Sequence, residues 1–329
     1  MKEIKGSNYS IWIGEKVISK LDTRSYSKIG ILVDENTKKN CLNKLPKIKN
    51  SIIIQIQSGE QNKNINTCHT IWNELNNHEF DRNSLLINLG GGVIGDMGGF
   101  CASTYKRGIN FIQIPTTLLA MVDASIGSKL GINFNNIKNQ IGLFVDPSLV
   151  IVDPIFLTTL PDNELRSGFA EVVKHALISN LKLWKEIVNT PFESLNWTNI
   201  IKTSLKIKNK IVLADPKEKG ERKKLNFGHT FGHAIESFYL EKQNPILHGE
   251  AIFMGILLET DISNLSVKEK NNIKNYILSN FNLPYTPSKK ELLYFLKNDK
   301  KNQKNKINFS ILNGIGNCTI DNFLSENEL

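Results

Sequence analysis

From Arg222 to His233 the chain reads Arg-Lys-Lys-Leu-Asn-Phe-Gly-His-Thr-Phe-Gly-His. Arg222, Asn226, His229 and His233 are spaced four, three and four apart, so on one continuous helix they form a single polar stripe. Beside Leu225, Phe227 and Phe231 that stripe does not read as plain solvent surface. His229 and His233, an i, i+4 pair, suit one metal ion, but two imidazoles do not complete a site. His248, in Leu247-His248-Gly249-Glu250, and Glu171, in Phe169-Ala170-Glu171-Val172-Val173-Lys174, are the additional donors available. On residue types alone, a metal centre and a hydrogen-bonded core network account for these histidines equally well.

A second group is Gly90-Gly91-Gly92-Val93-Ile94-Gly95-Asp96, which fits G-x-G-x-x-G between a strand-like run and a helix. Backbone N–H groups and a helix N-terminus in that context can hold a pyrophosphate. The loop follows the third strand rather than the first, however, and no acid stands about 20 residues later. A Gly-rich turn packing a helix on a sheet is the competing account. Asp34 and Glu60 end earlier strand-like runs, where open α/β sheets bind ligands. A third group runs from Asp123 to Lys129, with Lys138 and Asn139 further on, in a Gly-containing loop region. Lysines set among Gly and apolar residues suit capture of a phosphate or carboxylate, and Lys174 would face the same way as Glu171 on a helix. Lys206, Lys210, Lys217 and Lys219 read as solvated surface.

The elements that must position these groups are legible as apolar patterning. Lys28–Val33, Ser51–Gln57, Ser84–Leu89, Asn110–Ile114 and Leu149–Val152 are short continuous apolar runs of the kind that form buried parallel strands. A helical segment at Thr67–Asn76 separates two of them, so the first half reads as an α/β layer fold. Past Pro161 apolar residues recur at three and four, predicting a mainly helical second half, with a further helix at Glu250–Ile262 and a closing strand at Ile307–Leu312. The boundary falls near Leu160, giving domains of 1–160 and 161–329. The chain has 329 residues, and 41 Lys and Arg against 32 Asp and Glu give a net charge of +9, which by itself leaves nucleic acid, a membrane surface and an anionic substrate open. Cys41, Cys68, Cys101 and Cys318 lie too far apart for a C-x-x-C clamp, implying a reducing compartment. A polar N-terminus and the lack of a membrane-length apolar stretch imply a soluble, cytoplasmic protein with no membrane partner. No nucleic-acid recognition module is present either.

Together these segments resemble the 3-dehydroquinate synthases, the sugar phosphate cyclases of the shikimate pathway, from about Asp34 to Phe309. The resemblance is carried, in the family's order, by Gly90–Asp96, Pro115–Asp123, Gly168–Lys174, Leu225–His233 and Leu247–Ala251. It implies an N-terminal Rossmann-like α/β domain with a parallel sheet that binds NAD, a mainly α-helical domain that binds a divalent metal, most often zinc with cobalt possible, and a homodimer. By the same likeness the metal ligands are Glu171, His229 and His248, which moves His233 to substrate contact and proton transfer. Asp123, Lys129, Asn139, Lys174, Lys208, Arg222, Asn226 and Lys301 are implied to bind substrate, Lys208 and Arg222 at its carboxylate and Lys129 with Asn139 at its phosphate. Arg107 is similar to an arginine that reaches the phosphate from the neighbouring subunit. The implied NAD positions are Asp34, Asn36, Glu60, Lys63, Gly91, Gly92, Val93, Asp96, Thr116, Thr117, Asp123, Lys129, Lys138, Phe156 and Thr159. Lys174, His233, Asn226 and Asp123 are the implied catalytic set.

The implied reaction converts 3-deoxy-D-arabino-heptulosonate 7-phosphate to 3-dehydroquinate and phosphate. NAD takes a hydride transiently, the resulting ketone acidifies the neighbouring C–H so that phosphate is eliminated, the hydride returns, and an intramolecular aldol step closes the carbocycle. Ser128, Ile137, Pro216, His175 and Asn305 depart from the family's usual residues. Another sugar phosphate cyclase, or a metal-dependent polyol dehydrogenase of the same superfamily, is the rival expectation. Lys208 and Arg222 favour a carboxylate-bearing substrate over the first, and the lysine-rich anion site favours cyclisation over the second.

Overall fold

The computed structural model describes residues 1–135, 137–297 and 306–329. The chain divides into two compact units, Met1–Pro161 and Asp162–Leu329.

In the first unit the strands are β1 (Lys2–Lys5), β2 (Ser10–Ile13), β3 (Ile29–Asp34), β4 (Ile52–Ile56), β5 (Leu85–Gly90), β6 (Asn110–Pro115), β7 (Lys129–Phe134), β8 (Ile137–Phe144) and β9 (Leu149–Val152). Helices α1 (Glu35–Asn40), α2 (Ile65–Asn77) and α3 (Gly92–Thr104) connect them. Seven strands form one sheet in the order β1-β2-β9-β6-β5-β3-β4, parallel throughout except for the β1–β2 pair. Every residue of β5 is buried, as expected of a strand covered on both faces. The core gathers Leu32, Ile54 and Leu86 from strands with Ile71 and Leu75 of α2 and Met97 and Phe100 of α3.

Counted from β3, the five consecutive parallel strands lie in the order 2-1-3-4-5. The chain therefore reverses direction across the sheet between β3 and β5, and the crevice beyond their carboxyl ends is the place where open α/β sheets take ligands. Asp34 closes β3, and Gly90-Gly91-Gly92 leads from β5 into α3. This topology explains why the glycine-rich loop follows the third strand of the run: in this strand order the switch point is there. The segment read as a loop around Lys138 and Asn139 is instead the antiparallel hairpin β7–β8, in which both residues are exposed on β8.

The second unit contains α4 (Asp162–Ser179), α5 (Leu181–Asn189), α6 (Trp197–Ala214), α7 (His229–Glu241), α8 (His248–Asp261), α9 (Val267–Asn280) and α10 (Lys289–Lys297), closed by the hairpin of β10 (Ile307–Leu312) and β11 (Cys318–Leu324). Phe231, Ile235, Phe238, Ala251, Met254, Leu292 and Phe309 join α7, α8, α10 and β10 in one apolar cluster. No helix among the described residues is long and apolar enough to cross a membrane.

Candidate active site

In the second unit three helices converge on Glu171. Its carboxylate is fully buried on α4, and its Oε1 lies 3.4 Å from His229 Nε2 at the start of α7 and 3.5 Å from His248 Nε2 at the start of α8. Neither carboxylate oxygen has a hydrogen-bond partner of good geometry, although Lys174 Nζ, one turn along α4, is in ion-pair contact with Oε2. The donor atoms of Glu171, His229 and His248 all lie within 4.8 Å of one another.

Each imidazole is oriented from its far side. His229 Nδ1 faces the Phe227 carbonyl at 3.3 Å, and His248 Nδ1 faces Glu236 Oε1 at 3.4 Å. An acceptor at each Nδ1 holds a proton there and makes Nε2, which faces Glu171, the nitrogen that would ligate a cation, the arrangement of metal-ligating histidines. One buried carboxylate with two such imidazoles, its oxygens lacking hydrogen bonds, fits a divalent cation of the zinc class, and three protein donors leave a coordination position for substrate. His233 is exposed on α7 with its ring 5.2 Å from that of His229. It therefore stands beside the donor set and outside it.

The electrostatics follow from the packing. Burial works toward protonating Glu171, but Lys174, His229 and His248 outweigh it and hold the carboxyl well below its ordinary range. Burial drives His229 well below the usual imidazole value, and Lys174 adds to that effect. For His248 burial acts downward too, yet the facing carboxylates of Glu171 and Glu236 prevail and push it up to about 10. A divalent cation would replace that proton as the partner of the buried carboxylate.

Lys174, Lys208 and Arg222 are all nearly fully buried, at 1%, 5% and 3% exposure, whereas Lys206, Lys210, Lys217 and Lys219 are exposed. Buried cations are rare unless they meet an anion. Arg222 Nη1 donates to the Pro216 carbonyl, and Asn226 Nδ2 donates to Glu218 Oε1 at 2.8 Å. The stripe expected on one helix is broken: Arg222 and Asn226 lie in a 3₁₀ segment, Glu221–Asn226, and α7 begins only at His229. Between them Gly228 adopts φ +80°, where a Cβ would also meet Ile256 at 2.7 Å. Glu236 and Glu218 are site-facing residues that the sequence reading did not single out. For Glu236 a signal existed, since it follows His233 by three and His229 by seven on one helix face.

Within the first unit, Lys63 is 4% exposed, and its Nζ lies 2.6 Å from both Asp96 Oδ2 on α3 and Asn139 Oδ1 on β8. Asn139 thus joins residues expected at the NAD side. Glu60 Oε1 accepts from Asn133 Nδ2 at 2.9 Å. Asp34 caps α1, accepting from Thr37 N at 2.7 Å, with Asn36 in the first turn of that helix. Gly91 is the N-cap of α3, and Gly92 and Val93 open the helix with no side chain capping its amides. Thr116 is buried, its N–H donating to the Gly90 carbonyl, and Thr117 Oγ1 accepts from Ala120 N. Asp123 lies in a π-helical turn, Ala120–Ala124, a local widening that often marks functional positions. Phe156 is buried, while Thr159 Oγ1 accepts from Lys44 Nζ. Lys129, Lys138 and Arg107 are exposed, and Arg107 has φ +68°. Ser128 takes φ +61° and donates its hydroxyl to Asp146. Lys301 and Asn305 lie outside the described residues.

The 3-dehydroquinate synthase N-terminal family matches residues 53–167 and the 3-dehydroquinate synthase C-terminal family residues 168–302. A 3-dehydroquinate synthase of Parabacteroides distasonis is 39% identical over 94% of this chain and 91% of its own length. One from Prochlorococcus marinus is 42% identical over 85% of this chain and 79% of its own. Among solved structures, 2-deoxy-scyllo-inosose synthase complexed with carbaglucose-6-phosphate, NAD+ and Co2+ superposes with a TM-score of 0.85 at 21% identity, covering 99% of this chain and 97% of that one. A glycerol dehydrogenase from Schizosaccharomyces pombe gives 0.64 at 13% identity, covering 97% of this chain and 86% of that one. These two likenesses are of fold.

Proposed function

We propose that this chain, which belongs to the 3-dehydroquinate synthase family, converts 3-deoxy-D-arabino-heptulosonate 7-phosphate to 3-dehydroquinate and inorganic phosphate. The observation that carries this reading is the Glu171–His229–His248 donor set, built on a fully buried carboxylate, in a unit that also buries three cations, Lys174, Lys208 and Arg222. Glu171, His229 and His248 would hold a divalent metal, zinc or alternatively cobalt, and the Gly91–Asp96 segment with Asp34, Glu60 and Lys63 would hold NAD. Bound there, the metal supplies polarisation of a substrate hydroxyl and NAD a reversible hydride acceptor.

The remaining work falls to the chain's own side chains. Lys208 and Arg222 present fixed positive charge suited to the substrate carboxylate, Arg222 through a planar guanidinium held by the Pro216 carbonyl. Lys129, Asn139 and, from a second subunit, Arg107 bind the phosphate. Lys174 stands in contact with the Glu171 carboxylate, and exposed His233 stands beside His229, which supports a role for both in moving protons during the reaction. Asn226, anchored by Glu218, orients substrate hydroxyls. The protein acts as a homodimer in the cytoplasm.

The test is phosphate release from the seven-carbon substrate by purified protein with NAD and Zn2+. The expected outcome is stoichiometric phosphate without accumulating NADH. NADH formed in step with substrate loss, with no phosphate released, overturns the cyclase reading in favour of a polyol dehydrogenase.

A further inference from the structure

Glu259 is fully buried on α8, yet it belongs to none of the groups assigned above. Its Oε2 accepts from Gly228 N at 2.5 Å, and its Oε1 accepts from Thr230 N at 3.1 Å and Phe231 N at 3.2 Å. These donors bracket His229. The second and third residues of a helix ordinarily find their acceptor in the N-cap side chain, but the N-cap of α7 is Gly228, which has none. Gly228 is imposed by its positive φ and by Ile256 packed against it, so α8 must provide the cap from outside the helix.

The consequence reaches the imidazole through one peptide group. The Phe227–Gly228 peptide is planar, with its N–H and C=O pointing in opposite directions. Glu259 takes the N–H on one side, and the carbonyl on the other side meets His229 Nδ1 at 3.3 Å. Fixing that plane fixes the acceptor that selects the His229 tautomer and aims Nε2 at Glu171. The negative carboxylate is itself stabilised at the positive end of α7.

We infer that Glu259 is a positioning residue for the metal centre: by capping α7 from α8 it sets the backbone and ring orientation of His229, and thereby the affinity of the site for its cation. This inference rests on the metal reading above. Its test uses the full chain and zinc affinity measured by chelator competition, together with the visible absorption of the cobalt-loaded protein. Glu259→Ala is expected to weaken zinc binding about tenfold or more, in the range typical of groups that orient metal ligands, and to shift the cobalt bands. Glu259→Gln keeps one acceptor oxygen and should fall in between. A folded Glu259→Ala protein with wild-type zinc affinity and an unchanged cobalt spectrum, even one that melts earlier, overturns the inference. Should the alanine variant fail to fold, wild-type affinity in Glu259→Gln does the same. Wild-type protein that binds no zinc overturns the metal reading itself, a result distinct from loss confined to the variants.

Discussion

At the scale of single residues, the site depends on groups that hold the ligands as much as on the ligands. Glu236 faces His248 Nδ1 and is half-buried, with 15% of its side chain exposed, so its charge acts on the ring with limited solvent screening. Glu236→Gln keeps the shape but replaces a charged acceptor with a neutral amide. It should weaken zinc binding about 10- to 100-fold, measured by chelator competition, with little change in the unfolding midpoint. Equal affinity in the two proteins would show that Glu236 does not orient His248. The residues that the structure brings together, Glu171, His229 and His248, were each visible in the sequence as donors in unusual surroundings. What residue types could not decide was which two of the three histidines join Glu171. His229 and His233 share a helix face, but the third donor arrives from α8, and that choice is made by long-range packing.

At the scale of elements, the apolar runs gave away the central strands because a parallel strand covered on both faces needs no polar alternation. Strands β1 and β8 lack that signal because they are largely exposed, and the β7–β8 hairpin reads in the sequence as a Gly-containing loop region. The expected polar stripe failed at Gly228. A spacing of four, three and four assumes continuous helical geometry, and the left-handed backbone there ends one segment before α7 starts another. The same glycine shows how closely α7 and α8 approach. A Cβ on Gly255 of α8 would lie 2.0 Å from the Gly228 carbonyl oxygen and 2.8 Å from Gly232 N, both backbone atoms that cannot swing aside. Gly255→Ala therefore has to separate the two helices that carry His229 and His248. We expect a loss of at least about 1–3 kcal/mol in denaturant unfolding, the cost of overpacking a rigid core, together with weaker zinc binding. A variant as stable as the wild type would mean that the helices relax without penalty.

At the scale of the whole molecule, the +9 charge separates into two populations. Lys63, Lys174, Lys208 and Arg222 are buried, whereas most other cations lie in water, where salt screens them. The second unit also shows what its metal would and would not do for folding. Its apolar cluster of Phe231, Ile235, Phe238, Met254, Leu292 and Phe309 closes through side chains alone, unlike small domains whose metal replaces a core. Removing the metal should then abolish turnover while leaving the fold. A ligand bound only by the native state at one hundred times its dissociation constant adds about 2.7 kcal/mol. For a unit of this size, roughly 2–4 °C per kcal/mol turns that into a fall of about 5–10 °C in melting temperature on chelation. Circular dichroism should retain its helical signal, and melting should stay cooperative. Loss of helix at room temperature on adding chelator would instead make the cation a structural element, and the Glu171–His229–His248 set would have to be reassigned from catalysis to folding.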